Sequence, residues 1–404
     1  MDLLSFTDEP FSDTSIENCQ FHSYQPYNSA SPNYNDEVRI IITDFDALTA
    51  PSNSYIYIEG QLLTDKNQVP TKFKFINNAI AYLFREIRYE LNGVNVDSVR
   101  NLGLVSTIKN YLSLNDNTSK LLINVGWCPN EKDLILTDDK GNFNLFIPLR
   151  LWLEIFEDFT KIIMEMRQEL VLIRDKDDID AVLSTDETEH PKIKLLKLSW
   201  HVPHVTPSIS QQIILNKILN SNNELPIKFR SWELIEYPAL PNSTRHTWPV
   251  KTSTKLESPR HVIIALQDGR KGNLLKDLSQ FDHCNLRNIL VFLNSNRYPY
   301  NDLELDFDSN RFATLYEMFA NFQESYYHLT SNQPLLTPQE FKEKAPIVHI
   351  DCSRQPEVLQ SGSVTLRIDF ETTKPIGTNI SAYCLILHEK EFYYNPLTKI
   401  VRQV

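Results

Sequence analysis

Glycine is scarce in this chain, nine residues among 404. So few leave little material for a phosphate-cradling loop, and neither of the common glycine-rich spacings occurs. The nucleophile-elbow pattern G-x-S-x-G and the zinc-protease pattern H-E-x-x-H are absent as well. Cysteine is sparse: Cys19, Cys128, Cys284, Cys352 and Cys384 are scattered, with no C-x-x-C pair. The odd count and long spacings point to reduced thiols in an intracellular folding compartment, and away from a disulfide framework. The Asn-x-Ser/Thr sequons at Asn117, Asn242 and Asn379 then carry no weight. No run of about 18 apolar residues occurs, which argues against a membrane span. The N-terminus lacks the basic and apolar regions of a secretory signal. Positive charge is in deficit, with 40 Lys and Arg against 52 Asp and Glu and a net charge of −12. Phosphate repulsion therefore opposes nucleic-acid binding over a broad surface.

What is present is aromatic and repetitive. Aromatics make up 11% of the chain and proline (22) outnumbers glycine, a mixture suited to β-rich domains with many ordered loops. At this length two or three domains are expected, each burying its own core. A strand over 258–267, a hairpin opening at 288–295 and a helix from about 310 to 326 match an earlier strand over 54–62, hairpin opening at 87–93 and helix over 102–114. Leu91-Asn92-Gly93 aligns with Leu293-Asn294-Ser295 half a chain later. Two copies suggest a duplicated domain and no solenoid.

Residues 1–36 contain no Lys or Arg and carry Asp2, Asp8, Glu9, Asp13, Glu17 and Asp36. Too poor in periodic apolar residues to build a core, they read as an acidic, flexible arm, or one that orders on a neighbouring subunit. Val38–Thr43 opens the first domain as a β-branched strand, Ser54–Leu63 alternates, and Ile87–Val99 is a hairpin about Asn92-Gly93. Leu102, Val105, Ile108 and Leu112 step by three and four, as a helix does. Phe143–Arg174 reads as strand, short helical turn and strand, with one continuous helix from Leu149 to Ile173 as the competitor. A strand over 193–205, a linking helix over 208–219 and a strand from Phe229 to Glu236 follow. Strands at 347–350, 364–370 and 382–388 end the chain. Each half thus offers roughly eight short strands and one helix in a long loop, which most often make two packed sheets, a sandwich or jelly roll.

Few residues hint at chemistry. His201 and His204 lie three apart on a strand and so point to opposite faces, which is wrong for a shared metal ion. His283-Cys284 and His349-Ile-Asp351-Cys352 evoke a thiol and its base, yet adjacency along a strand does not bring a nucleophile within hydrogen-bond reach of its base. The acidic stretch Asp175–His190 lacks the glycine and closing glutamate of a calcium loop and reads as solvated. No catalytic, cofactor-binding or metal-ligating residue is assigned, and no cofactor is expected.

Several longer segments resemble a known family. Phe281–Ser295 with Tyr298-Pro-Tyr300 and Leu315–Met318, Ala345–Gln355, Ser361-Gly362, Ala382–His388, Ala81–Gly93 and Trp248-Pro249 resemble the major capsid proteins of Polinton (Maverick) elements and adintovirus-like relatives, over about residues 38–404. The resemblance implies a non-enzymatic, all-β double jelly roll of two eight-stranded antiparallel sandwiches with a few helices in loops. It also implies homotrimeric, pseudo-hexameric capsomers that meet neighbouring capsomers and a minor penton protein in an icosahedral shell. The shell would enclose double-stranded DNA without sequence-specific binding, in a virion whose protein is made in the host cytoplasm. On this reading the chain divides into the arm (1–36), a first roll (37–206), a helical linker (207–224) and a second roll (225–404). The competing expectations are a cellular β-sandwich module binding carbohydrate or protein, which would be a stable monomer, and a cupin-like metalloenzyme, which would hold stoichiometric metal.

Overall fold

The structure, a computed structural model, describes residues 15–28, 31–44, 46–129, 136–251, 259–354 and 364–403. Residues 1–14 of the acidic arm, and Ser258, Gln355, Ser361 and Gly362 of the segments quoted above, lie outside them.

The first half holds β1 (Ile16–Tyr24), β2 (Glu37–Ile41), β3 (Tyr55–Thr64), β4 (Phe73–Phe75), β5 (Phe84–Leu91), β6 (Val94–Arg100), β7 (Asn142–Pro148), β8 (Gln168–Arg174), β9 (Val182–Ser184) and β10 (Pro191–Pro207). The helices α1 (Leu102–Ser113) and α2 (Asp116–Leu121) fill the β6–β7 connection, and α3 (Ile155–Asp158) the next one. After α4 (Ile209–Leu219) come β11 (Leu225–Tyr237), β12 (Arg245–Val250), β13 (His261–Asp268), β14 (Leu286–Leu293) and β15 (Asn296–Tyr298). Then follow α5 (Ala313–Ala320), α6 (Phe322–Tyr327), α7 (Pro338–Lys344), β16 (Val348–Asp351), β17 (Leu366–Thr372), β18 (Ile380–Asn395) and β19 (Ile400–Gln403).

Set aside the short β4–β9 ribbon, and the first half orders its eight strands as β1-β10-β3-β7 in one sheet and β2-β8-β5-β6 in the other. The second half orders its own as β11-β18-β13-β16 and β12-β17-β14-β15, with β19 added beside β18. Counted within each half, both are first-eighth-third-sixth and second-seventh-fourth-fifth. Eight antiparallel strands wrapped this way make a jelly roll, and the chain is a double jelly roll.

The repeat seen in the sequence has its cause here. β3 and β13 are the third strands of their rolls, and β5 and β14 the fourth. Both fourth strands end in a turn whose Asn takes left-handed φ, 48° at Asn92 and 53° at Asn294. Asn tolerates that region, and Gly93 (φ 78°) completes the two-residue turn. On β3 the alternation sorts Ile56 and Ile58 inward, fully buried, and Tyr55 and Tyr57 outward. Between β7 and β8 the chain makes a 3-10 turn and α3, so the strand–turn–strand reading of 143–174 holds over the continuous helix.

Two expectations change. Ile16–Tyr24 of the acidic arm is a strand, paired along β10 from Ile16–Pro207 to Tyr24–Trp200. Its side chains are almost all exposed, so β1 joins through backbone hydrogen bonds without adding to the core, and periodicity does not reveal it. The acidic stretch after β8 is only partly solvated. Asp178 is buried, ion-paired with Arg174, and accepts hydrogen bonds from the Ile193 amide (2.6 Å) and the Tyr34 hydroxyl (2.8 Å).

Candidate assembly interface

The two rolls do not stand as separate cores: one continuous cluster of buried apolar side chains runs through both. The seam explains why. Leu102 to Leu112 of α1 are all buried, including Lys109, which a surface helix would leave in water. One side of α1 meets its own roll, where Gly103 lets it close onto Tyr82; a Cβ there would stand 2.3 Å from the ring. The other side meets α6 of the second roll, where the Gln323 amide reaches the Leu112 and Leu114 carbonyls at 3.4 and 3.1 Å.

A charged cluster sits at the centre of this seam. The Lys109 ammonium pairs with Glu154 and Glu157 (2.6 Å to the latter) and donates to the Arg150 carbonyl at 2.8 Å. Burial works against its charge, but the two carboxylates hold its pKa above the usual range. Glu154, fully enclosed, is pushed up by desolvation, whereas Glu157 is held down to about 2 by Lys109 despite its burial. Thus Glu157 carries the negative charge facing Lys109. From the second roll, Tyr326 donates to Glu154 at 2.8 Å and Tyr327 to Glu157 at 2.7 Å. Arg230 of β11 grips Asp158 with both arms of its guanidinium (2.8 and 2.5 Å), lies 3.5 Å from the centre of the Tyr326 ring and donates to the Tyr326 carbonyl. Such bidentate, ring-stacked geometry suits arginine and not lysine. Asp97, 1% exposed on β6, adds a bond from Ser231 at 3.0 Å.

Beside Arg230, the outer face of the β11-β18-β13-β16 sheet is closed over by α5 and α6. His261 and His349 lie 3.1 Å apart there, against the rings of Phe322 and Tyr326, with the second nitrogen of His349 at 2.9 Å from the Met318 carbonyl. Burial, and then His349, hold the His261 pKa down to about 3, with Asp351 pulling the other way and Arg230 and Arg260 adding to the depression.

The residues singled out for chemistry stay apart. His201 packs against Tyr57 and Phe146, while His204 stacks on His22 at 3.9 Å and bonds the Tyr24 hydroxyl at 2.7 Å. The His283 ring stacks on Phe307 and its Nδ1 accepts from the Asn285 amide. Burial pushes the Cys284 thiol up to about 12, and raises Cys352 and Cys384 too, so these thiols stay protonated and unreactive. Among the described residues no group of three or more His, Cys, Asp and Glu is placed to hold a metal ion. No helix among them is long and apolar enough to cross a membrane. The seam residues Lys109, Glu154, Glu157, Asp158 and Arg230 were not foreseen. Their one signal is charge inside apolar helical runs, Lys109 in 102–112 and the acids of 151–159.

A family model described as a double jelly roll-like domain matches residues 73–391. In three dimensions the chain is similar to one from the cryo-EM structure of the Sputnik virophage, at TM-score 0.65 and 8% identity, covering 100% of this chain and 92% of that one. It is similar to the Faustovirus major capsid protein at TM-score 0.62 and 9% identity, covering 97% and 92%. It also resembles the mavirus major capsid protein at 0.58 and 10%, covering 95% and 90%. No curated protein matches it in sequence.

Proposed function

Since the chain belongs to the double jelly roll-like domain family, we propose that it is a major capsid protein, a structural subunit with no catalytic, cofactor or metal site. The observation that carries this reading is likeness over both rolls at once: the chain and the Faustovirus and mavirus capsid proteins cover nine-tenths or more of one another. A single-roll module or a cupin-like enzyme would match one half. The rolls, 37–206 with β1 (Ile16–Tyr24) added at its edge and 225–404, with the linker 207–224 between them, stand side by side in a homotrimeric, pseudo-hexameric capsomer. Capsomers meet one another and a penton protein in an icosahedral shell around double-stranded DNA. The sequence segments quoted above favour a Polinton or adintovirus-like source. The acidic balance suits a wall that encloses DNA without gripping it.

Light scattering on the purified full-length chain, with negative-stain images of the same fraction, tests this. The expected species has three times the 47.0 kDa chain mass, about 141 kDa, and a six-lobed outline. A clean monomer at micromolar concentration would overturn it.

A further inference from the structure

The charged cluster of the seam forms the floor of an open cavity of about 440 Å³, a size common among small-molecule sites. Both rolls wall it, with α1, α2, α3 and the turns Pro51–Asn53 and Leu149–Leu151 from the first and Tyr327 of α6 from the second. The floor asks nothing of a ligand. Glu157 faces Lys109 at 2.6 Å and accepts from the Tyr327 hydroxyl at 2.7 Å, so both its oxygens have partners. Beside it the lining is apolar, with Leu122, Leu151 and Phe156 each 8% exposed or less. The rim differs. Leu121, at the end of α2, is 79% exposed. Arg150 is exposed as well, and the Lys109 ammonium holds its carbonyl at 2.8 Å. The Arg150 guanidinium makes no hydrogen bond or ion pair among the described residues.

Among the described residues, three charged ones line the cavity: Lys109, Glu157 and Arg150. Lys109 and Glu157 cancel, and Glu154, enclosed behind them, is pushed toward its neutral form. One positive charge is left unmatched, on Arg150, beside an apolar wall. We propose that this cavity binds an amphiphilic monoanion, a carboxylate on an aliphatic tail, with the carboxylate on Arg150 and the tail against Leu121, Leu122, Leu151 and Phe156. The guanidinium fork meets a carboxylate with two parallel hydrogen bonds. Asn53, on the same rim and with a side-chain amide that has no partner among the described residues, can donate to the same anion. The tail takes Leu121 out of water, which is the favourable apolar term. A single unmatched charge favours a carboxylate over a phosphate dianion. The site lies within one chain and stands apart from the capsid reading. Its occupant touches both rolls, through Tyr327 on one side and α1, α2 and α3 on the other, so binding stabilises the folded seam.

Titration calorimetry of the full-length chain with octanoate tests this, beside octanol, which has the tail alone, and acetate, which has the head alone. Octanoate is expected to saturate at one molecule per chain, with octanol and acetate each roughly tenfold weaker or more. Arg150→Gln should bring octanoate down to the level of octanol, and Leu121→Ser should weaken it several-fold. Both positions are exposed, so both variants should melt like wild type without ligand. Octanoate bound equally by wild type and Arg150→Gln would place it elsewhere and overturn the proposal. Octanol bound as tightly as octanoate would overturn the anion, and a lack of saturable binding would overturn the site. Should Arg150→Gln not fold, Asn53→Asp serves instead, since it sets a negative charge on the rim; octanoate binding unchanged by it would count against the site equally. Stoichiometry is counted per chain, so a monomeric wild type would remove the capsid reading and leave this one standing.

Discussion

At the scale of single residues, the seam stakes most on Lys109. The residue is 4% exposed, and its ammonium is the cation that faces Glu154 and Glu157 from α1. Replacing a buried pair by apolar groups is often neutral, whereas removing one partner strands the other's charge at a cost of about 3–5 kcal/mol. Lys109→Met keeps the length and most of the packing but leaves Glu157 unneutralised in the seam. The expected loss is about 3 kcal/mol in urea unfolding, with much of it recovered in the triple variant that adds Glu154→Gln and Glu157→Gln. If Lys109→Met unfolds at the wild-type midpoint, the cluster is hydrated and the seam is held by apolar contact alone.

At the scale of elements, the sequence made some parts plain and hid others for physical reasons. Strands with one face in the core announce themselves by alternation, as in Tyr55–Thr64, and a two-residue turn by Asn92-Gly93. The helix in each long connection was legible from spacing, although the second one breaks at Asn321 into α5 and α6. β1 was not legible, because a strand exposed on both faces has no hydrophobic pattern to read. Nor was the seam, because its pairs join residues far apart in the chain, such as Asp158 with Arg230 and Glu154 with Tyr326. β1 now carries its own prediction. Its pairing caps the outer edge of β10, and an uncapped, long, flat strand is a template for unwanted association. Deleting residues 1–24 is expected to leave a folded chain that aggregates on warming at lower temperature, as followed by turbidity, while deletion of 1–14 behaves as wild type. Equal aggregation onsets for the two deletions would mean that β1 protects nothing.

At the scale of the whole molecule, one continuous apolar core and the charged seam run through both rolls, which are therefore expected to unfold as one cooperative unit, and acid is the lever that reveals it. The unfolded chain takes up a proton at His261 near pH 6.5, whereas the folded chain holds that imidazole neutral down to about 3. Between those values the unfolded state binds more protons, so this group's contribution to stability falls as pH falls from about 6.5 and is flat above it, while Glu154, whose raised pKa makes the folded state the better proton binder, acts in the opposite direction. His349, His201, His204 and His283 are depressed as well, chiefly by burial, and act in the same direction as His261. Glu157 adds to the loss only in stronger acid, where it leaves its depressed value behind the unfolded one. Calorimetry is therefore expected to show a single transition for both rolls. Its temperature should hold steady from about pH 8 to 7 and drop by several degrees at about pH 5. His261→Phe, which places an apolar ring among Phe322, Tyr326 and His349, should shrink that drop. Two separate transitions would show that the seam does not couple the rolls. An unchanged melting temperature down to about pH 5 would show that the histidines protonate freely within the fold.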